Sequence, residues 1–163
     1  MTRLESAIRR LSAQRDLLDW AARDVESRKG IVVELGLGNG RTYDHLRNRL
    51  PGHRIMVFER SVAAHPDCIP SSDCLLLGDI GETLPAFVAD GHAGTAILIH
   101  ADIGTGDTAT SDALAAAISP AAEALLAPGG LLVADRAYRL PDCEDISGET
   151  GVPQGRYFVY RRR

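Results

Sequence analysis

The sequence predicts an α/β fold, a doubly wound and mostly parallel sheet of six or seven strands with helices on both faces. Short apolar runs rich in β-branched residues recur along the chain without polar alternation, which is typical of strands buried on both faces. Segments with helical spacing of apolar residues lie between these runs. Because strands that alternate with helices build a parallel sheet, and 163 residues suit one domain, we expect a single domain over 1–163.

The N-terminal segment, residues 1–29, is predicted to be a helix. Its apolar side chains recur at near-helical spacing. Thr2 and Glu5 stand three residues apart, as the two members of a capping box do. Gly30 ends the helix, and the uninterrupted apolar run at 31–36 ("IVVELG") then predicts a buried strand.

The same alternation continues to the C-terminus. A helix is predicted over 42–50, whereas Pro66 and Pro70 allow only a stunted helix after the second strand. Further strands are predicted over 53–59, 74–79, 95–102, 129–135 and 155–162, and further helices over 83–90 and 108–126. Residues 137–155 are predicted to be a loop. Right-handed crossovers place the loops that follow the strands along one edge of the sheet, where ligands bind in such folds.

Composition and charge exclude several functional classes. The net charge of −4 argues against a dedicated nucleic-acid-binding protein, which usually carries a basic excess. No apolar run approaches the ~20 residues that span a bilayer, and the charged N-terminus does not resemble a signal peptide. The three cysteines lack the spacing of a zinc site or of a disulfide framework. We therefore expect a cytoplasmic protein that binds neither nucleic acid nor membranes.

The stretch "GIVVELGLGNGR" (30–41) is the main functional signal. Gly36, Gly38 and Gly40 follow the first predicted strand, and glycine allows positive φ and close approach of a ligand to the backbone. A dinucleotide fingerprint would need a third glycine where Arg41 stands, to allow close packing above a pyrophosphate. Glu34 at the end of the strand is also badly placed for a ligand with two phosphates. A ligand without phosphates and with a cationic group fits this loop better.

At these residues the sequence resembles the class I S-adenosylmethionine-dependent methyltransferases. Their first motif, a strand that ends in an acid followed by G-x-G-x-G, is matched by "VVELGLGNG". Three further motifs follow in order, namely Glu59 after "IMVF", Asp79 and Ile80 in "LLLGDI", and Pro-Gly-Gly at 128–130. The resemblance covers residues 30–136 and implies a Rossmann-like methyltransferase fold with that range as the cofactor-binding core. Residues 137–163 would then be a loop and the final strand.

The resemblance implies that S-adenosyl-L-methionine is the cofactor. In this family the acid after the second strand binds both ribose hydroxyls, and a carboxylate can accept from two hydroxyls at once. An acid after the third strand lies near the adenine amino group. The residues expected to contact the cofactor are Glu34, Gly36, Gly38, Gly40, Tyr43, Glu59, Arg60, Asp79, Ile80 and His100. For Tyr43, packing into the core is an equally good interpretation.

His100 and Asp102, where the chain leaves the fourth predicted strand, are the candidate catalytic residues. Strand periodicity would put both side chains on one face, where they could meet a single cavity and orient or deprotonate an acceptor. The alternative is that His100 is a hydrogen-bonded interior histidine. Asp102 and Asp135 also resemble the acids of magnesium-dependent catechol-type methyltransferases, but Arg136 stands where those have Asn, so no metal is expected.

The leading hypothesis is an enzyme that transfers a methyl group from S-adenosylmethionine to an oxygen or nitrogen of a small-molecule acceptor. The alternative is a domain that binds S-adenosylmethionine without turnover, as a sensor or as a subunit of a larger assembly. The chain has no inserted substrate-recognition domain. The acceptor side is therefore expected to come from the N-terminal helix, the 137–155 loop or the second subunit of a homodimer.

Overall fold

The computed structural model describes residues 1–153 and 155–163 as one seven-stranded sheet with helices on both faces. The helices are α1 (Arg3–Val25), α2 (Arg41–Arg49), α3 (Ile80–Phe87) and α4 (Thr108–Leu125). The strands are β1 (Ile31–Leu35), β2 (Ile55–Glu59), β3 (Leu75–Leu77), β4 (Ala96–Ala101), β5 (Leu126–Ala134), β6 (Cys143–Asp145) and β7 (Phe158–Arg162). None of the helices in the described ranges is long and apolar enough to cross a membrane.

The strand order is β3-β2-β1-β4-β5-β7-β6. The first five strands pair in parallel, whereas β7 runs antiparallel to both β5 and β6. The order reverses between β1 and β4, so the carboxyl ends of these two strands flank the crevice where doubly wound folds bind ligands. The predicted doubly wound, mostly parallel sheet is confirmed.

Two apolar clusters cover the two faces of the sheet. Helices α1 and α2 bury Leu17, Leu18 and Leu46 against one face, and α3 and α4 bury Leu84 and Ile118 against the other. The N-terminus of α1 has the predicted capping box, in which the Thr2 side chain accepts from the Glu5 amide and the Glu5 side chain accepts from the Thr2 amide. Local sequence signals therefore place both the helix start and the buried faces.

The prediction of a loop over 137–155 was wrong in part. Cys143–Asp145 form β6, which pairs with the last strand and makes the outer edge of the sheet. A three-residue strand has too few positions to show alternation, so its sequence gave no signal. The fifth strand also begins earlier than predicted, at Leu126. The Pro-Gly-Gly segment lies within β5, at the point where the pairing between β4 and β5 shifts register.

Candidate active site

The glycine loop between β1 and α2 forms the floor of the site. Gly36, Gly38 and Gly40 all have positive φ, at +88°, +52° and +85°. A side chain at Gly36 would lie 3.0 Å from the carbonyl oxygen of Asp102, and one at Gly40 would collide with Cys68. At Gly38 no described atom lies within 4 Å of where a Cβ would stand. Gly36 and Gly40 therefore allow close packing within the protein, whereas Gly38 faces open space.

The larger of two cavities at this loop measures about 360 Å³ and lies along the carboxyl ends of β1 to β4. Gly38, Glu59, Arg60, Asp79 and Ile80 line it. With Gly36, six of the residues predicted to contact the cofactor thus meet around one space. Strand order explains this, because β3, β2 and β1 are neighbours and end at the same edge of the sheet.

Glu59 is held at the wall of the larger cavity by four backbone amides. Its Oε2 accepts from Leu37 at 2.8 Å and from Gly38 at 3.1 Å, while its Oε1 accepts from Arg60 at 2.7 Å and from Ser61 at 3.0 Å. Partial burial on its own would raise the pKa of Glu59, but these hydrogen bonds to the charged form outweigh burial and lower it. The side chain is therefore an oriented carboxylate that also fixes the glycine loop.

Asp79 and Ile80 sit where β3 leads into α3. The Asp79 carboxylate caps the helix, since one of its oxygens accepts from the amide of Gly81 at 2.8 Å. Ile80 is the first helical residue. Its amide belongs to the first turn, whose N–H groups have no acceptor within the helix. This end of the cavity therefore offers both a carboxylate oxygen and a backbone donor to a ligand.

The smaller cavity, about 210 Å³, lies on the other side of the glycine loop, beneath α1. Gly36, Gly38 and Asp102 line both cavities, so the two form one groove that passes over the loop. The remaining walls of the smaller cavity come from the first two helices and the loop. Besides Leu11 and Leu37 they are polar or basic, namely Arg10, Gln14, Asn39, Arg41 and Thr42. One end of the groove is therefore acidic and the other end basic.

Asp102 stands at the junction of the two cavities. Its carboxylate accepts a hydrogen bond of 3.0 Å from the Gln14 side-chain amide, and Gln14 is almost fully buried in α1. This bond fixes the position of the carboxylate and ties α1 to the end of β4. Arg10 and Gln14 were not predicted as site residues, because no spacing within a helix reveals which turn will reach the sheet edge, and Arg41 was considered only as an argument against a pyrophosphate.

His100 does not share this cavity, so the expectation that it faces the same space as Asp102 was wrong. Its imidazole is 1% exposed and bonds the Glu34 carboxylate through Nδ1 at 2.9 Å. The Asp102 amide still bonds the Leu35 carbonyl oxygen of β1 at 3.3 Å, and Asp102 meets Gln14 of α1, so the alternation continues to Asp102. His100 is closed off because it lies deeper in the sheet, beside the buried Glu34. The alternative interpretation, an interior histidine with a hydrogen-bond partner, describes its surroundings.

Glu34 is likewise buried and lies between two partners. The register of β1 and β4 places it beside His100, and its other oxygen accepts from the Thr42 hydroxyl at the start of α2. Burial opposes the charged form of His100, but the adjacent Glu34 carboxylate outweighs burial and raises the histidine pKa. Glu34, Thr42 and His100, which we term the buried triad, hold the underside of the glycine loop.

Tyr43 and Arg136 also have local partners. Tyr43 lines neither cavity; it packs on the apolar cluster under α1 and α2, with the Arg47 guanidinium 5.4 Å from its ring centroid. Arg136 binds Asp135 at 2.8 Å and Asp112 at 3.1 Å. Across residues 1–153 and 155–163, no group of three or more His, Cys, Asp or Glu side chains is placed to hold a metal ion.

The comparisons with known proteins agree with this site. Residues 1–162 match the family model described as S-adenosyl-L-methionine methyltransferase. A crystal structure of an S-adenosyl-L-methionine methyl transferase from Silicibacter pomeroyi DSS-3 is 43% identical, with a TM-score of 0.89 over 100% of this chain and 99% of that one. A search of proteins with curated function finds no match.

More distant structures share the fold. Human methyltransferase-like protein 13, in complex with SAH, gives a TM-score of 0.58 at 14% identity over 94% of this chain and 81% of that one. A 1,6-didemethyltoxoflavin-N1-methyltransferase from Burkholderia thailandensis gives 0.50 at 16% identity over 99% and 91%. The chain therefore belongs to the S-adenosyl-L-methionine methyltransferase family, and it is an enzyme whose methyl donor is S-adenosyl-L-methionine.

Proposed function

We propose that this methyltransferase acts on an oxygen or nitrogen atom of a small-molecule acceptor, with the donor lying along the groove over the glycine loop. The observation that carries the proposal is the groove itself, two cavities that share Gly36, Gly38 and Asp102. Its acidic and basic ends match the two ends of the donor. S-Adenosylmethionine has a ribose with two hydroxyls at one end and an amino acid with a carboxylate and an ammonium group at the other.

The nucleoside end of the donor is assigned to the larger cavity. Glu59 supplies the carboxylate for the ribose hydroxyls, and Arg60 lies beside it. Asp79 and the amide of Ile80 supply an acceptor and a donor for the adenine edge. Gly38 supports this placement, because the space where its side chain would stand is open and Gly38 lines the cavity together with Glu59 and Asp102.

The amino-acid end is assigned to the smaller cavity. Arg10 and Arg41 supply guanidinium groups for the donor carboxylate, for which their forked geometry is suited. Asp102 stands at the junction of the two cavities, beside the space where the methyl group and the acceptor would meet. Glu34 and His100 of the buried triad have no direct contact with the donor in this assignment and hold the loop from beneath, whereas Thr42 also lines the smaller cavity.

The chemistry requires little from the protein beyond alignment. The donor supplies an activated methyl group on a sulfonium, so the residues of the groove need only orient the donor and keep water out. Holding two reactants in line can supply about 7–11 kcal/mol of the barrier. Asp102 is the carboxylate placed to orient an acceptor or to take its proton, a role worth about 10²–10⁴-fold where the acceptor has a proton to lose.

A small acceptor fits the size and charge of this chain. The family match takes up residues 1–162, and the groove is formed by that one domain. The net charge of −4 and the carboxylates of the groove disfavour a polyanionic acceptor. The Burkholderia methyltransferase of the same fold was crystallised with 1,6-didemethyltoxoflavin bound. The site in this chain is therefore assigned to a compound of comparable kind, with the acceptor next to Asp102.

The test is production of S-adenosylhomocysteine across a panel of phenols, carboxylic acids, amines and heteroaromatic nitrogens, with RNA and a protein lysate as macromolecular comparisons. We expect turnover with one small-molecule class. Asp102→Asn should lower that turnover about 100-fold while donor affinity stays nearly unchanged, the pattern of an interaction made mainly in the transition state. Turnover only with RNA or protein would contradict the proposal, and donor binding without any turnover would favour the sensor alternative.

A further inference from the structure

The N-terminal half of α1 carries an uncovered apolar surface. Met1, Leu4, Ile8 and Leu11 are 83%, 70%, 54% and 37% exposed. They are four of the seven large apolar side chains that are exposed among the described residues. Contiguous exposed apolar surface of this kind usually marks an interaction site.

These four side chains form one stripe along the helix. Within α1 the spacings of four and three residues keep Leu4, Ile8 and Leu11 on a single helical face, and Met1, which precedes the N-cap Thr2, extends the same spacing along the sequence. The same stripe continues through Leu18, Ala22 and Val25, which are buried against the sheet. One apolar face is therefore covered by the protein's own core over its C-terminal half and left uncovered over its N-terminal half.

We propose that a second copy of this chain covers the stripe, with the two N-terminal halves packed antiparallel about a twofold axis. The spacing of the stripe reads the same in both directions, so a reversed copy presents matching positions. Leu4 then packs against the partner's Ile8, and Met1 packs against the partner's Leu11. A twofold interface requires this self-complementarity, in which one patch meets itself.

Charge supports the same register. Glu5 and Arg9 lie on the same flank of the stripe, while Arg3 and Arg10 lie on the opposite flank. In the antiparallel pair, Glu5 comes within about 3 Å along the helix axis of the partner's Arg9, at 1.5 Å per residue. The twofold axis makes this ion pair twice. A shallow groove of about 490 Å³ between Met1, Glu5, Ile8 and Arg9 is large enough to receive the partner's Leu4.

Pairing bears on the active site, because the same helix half forms its wall. Arg10, Leu11 and Gln14 line the smaller cavity, and Gln14 binds Asp102. A partner packed on Leu11 fixes this wall in place. The association itself is independent of the proposed function, but its effect on turnover rests on the placement of the donor.

The test is the association state of the full chain by sedimentation velocity, from micromolar to near-millimolar concentration and without donor. Three helical turns give an interface at the small end of the known range, so we expect a dimer that dissociates in the micromolar range. Ile8→Glu should weaken association at least about 100-fold, since it buries an unpaired charge. Leu77→Glu, on the edge strand β3 and similarly exposed at 59%, is the matched control and should not change association.

The ion pairs provide a second, reciprocal test. Arg9→Glu should weaken the dimer about tenfold, because two exposed pairs are lost and like charges meet. Adding Glu5→Arg to Arg9→Glu restores both pairs with reversed sign and should recover most of the loss, with Glu5→Arg alone as the control for the broken capping box. Circular dichroism and the affinity for S-adenosylhomocysteine report on folding of each variant.

Three results would overturn the proposal. The first is a wild-type protein that is monomeric at every concentration, and the second is an Ile8→Glu variant that dimerises as wild type does. The third is a double variant, Arg9→Glu with Glu5→Arg, whose dimer is weaker than that of Arg9→Glu alone. A monomeric wild type that binds vesicles of anionic phospholipid would assign the stripe to a membrane surface instead. Because association is measured without donor or acceptor, none of these results depends on whether the methyl acceptor is a small molecule.

Discussion

The two sides of the glycine loop use similar residue types for different purposes. Beneath the loop, Glu34 and His100 are fully buried and bond to each other. Above it, Glu59 and Asp102 line open cavities, where their carboxylates are oriented by amides of the protein and remain accessible to a ligand. An acid in this fold is therefore a structural or a ligand-binding residue according to the side of the loop on which it lies.

This difference shows why motif positions alone do not assign roles. Glu34 is the penultimate residue of β1 and Glu59 the last residue of β2, and both match the family's motifs, yet only Glu59 lines a cavity. Removing one partner of a buried ion pair lowers stability strongly, because an unpaired charge is left behind. An accessible carboxylate instead contributes to the affinity for the ligand that it binds. Stability and donor affinity should consequently respond to different substitutions.

The largest expected effect is on stability, in His100→Ala. Removing the imidazole leaves the Glu34 carboxylate buried without its cationic partner, which should lower the free energy of unfolding by about 3–5 kcal/mol. Urea unfolding followed by circular dichroism measures this loss. Asp102→Asn, on the open side, should cost less than about 1 kcal/mol, as for exposed polar contacts. Equal losses in the two variants would erase the distinction between the two sides of the loop.

The next effect is on donor binding, in Gly38→Val. The new side chain would stand in the space assigned to the donor, so we expect donor affinity to fall about 100-fold or more, equivalent to about 2.8 kcal/mol. Gly91→Val is the matched control, because Gly91 also has positive φ and open surroundings but lies outside the groove. Calorimetry should show normal affinity for that variant. Normal affinity in Gly38→Val would move the donor away from the loop.

Glu59→Gln should weaken donor binding by about 1.5–3 kcal/mol, the range for hydrogen bonds to a charged group. The amide keeps the shape of the side chain but replaces one acceptor oxygen with an NH₂ donor. That group cannot accept a hydrogen bond from the loop amides or from the ribose hydroxyls. Glu82→Gln, in the first turn of α3, serves as the control. A dissociation constant that Glu59→Gln leaves unchanged would place the ribose elsewhere.

The smallest expected effect is a pH dependence of the free energy of unfolding, which arises from His100 in the buried triad. The pKa of His100 is raised in the folded protein, so the native state holds a proton that the unfolded state releases above a pKa of about 6.5. Its contribution is full below that pH and is lost as the pH rises through the folded-state pKa. The free energy of unfolding of wild type should therefore fall above neutral pH relative to His100→Gln. Parallel curves for the two proteins would show that His100 is neutral in the fold.

Much of the fold could be predicted from the sequence because its signals are local. Buried parallel strands appear as uninterrupted apolar runs, and helix starts appear as caps, so β1, β2 and α1 lie close to their predicted bounds. Strand β6 could not be predicted, since its three residues are held by pairing with β7 rather than by their own pattern. Pairing of this kind depends on a partner about fifteen residues away in sequence, which no local window includes.

The site divides in the same way. Glu59, Asp79 and Gly38 could be placed together because each follows a strand of a parallel sheet and the strand ends share one edge. Arg10 and Gln14 could not be placed there, because their position depends on how α1 lies across the sheet. His100 was assigned to the cavity because strand periodicity puts it on the same face as Asp102, but at His100 that face is covered by packed residues, which a strand pattern does not reveal.

The sequence by itself therefore determined the alternating order of strands and helices, the glycine loop and the acids that follow β2 and β3, since these depend on neighbouring residues and on the rules of parallel sheets. Only the tertiary structure decided which acids face solvent, which helix closes the groove and where an apolar stripe lacks a cover. Burial is the physical reason. Whether a carboxylate meets a histidine or a cavity depends on residues far away in sequence, here Glu34 with His100 and Asp102 with Gln14.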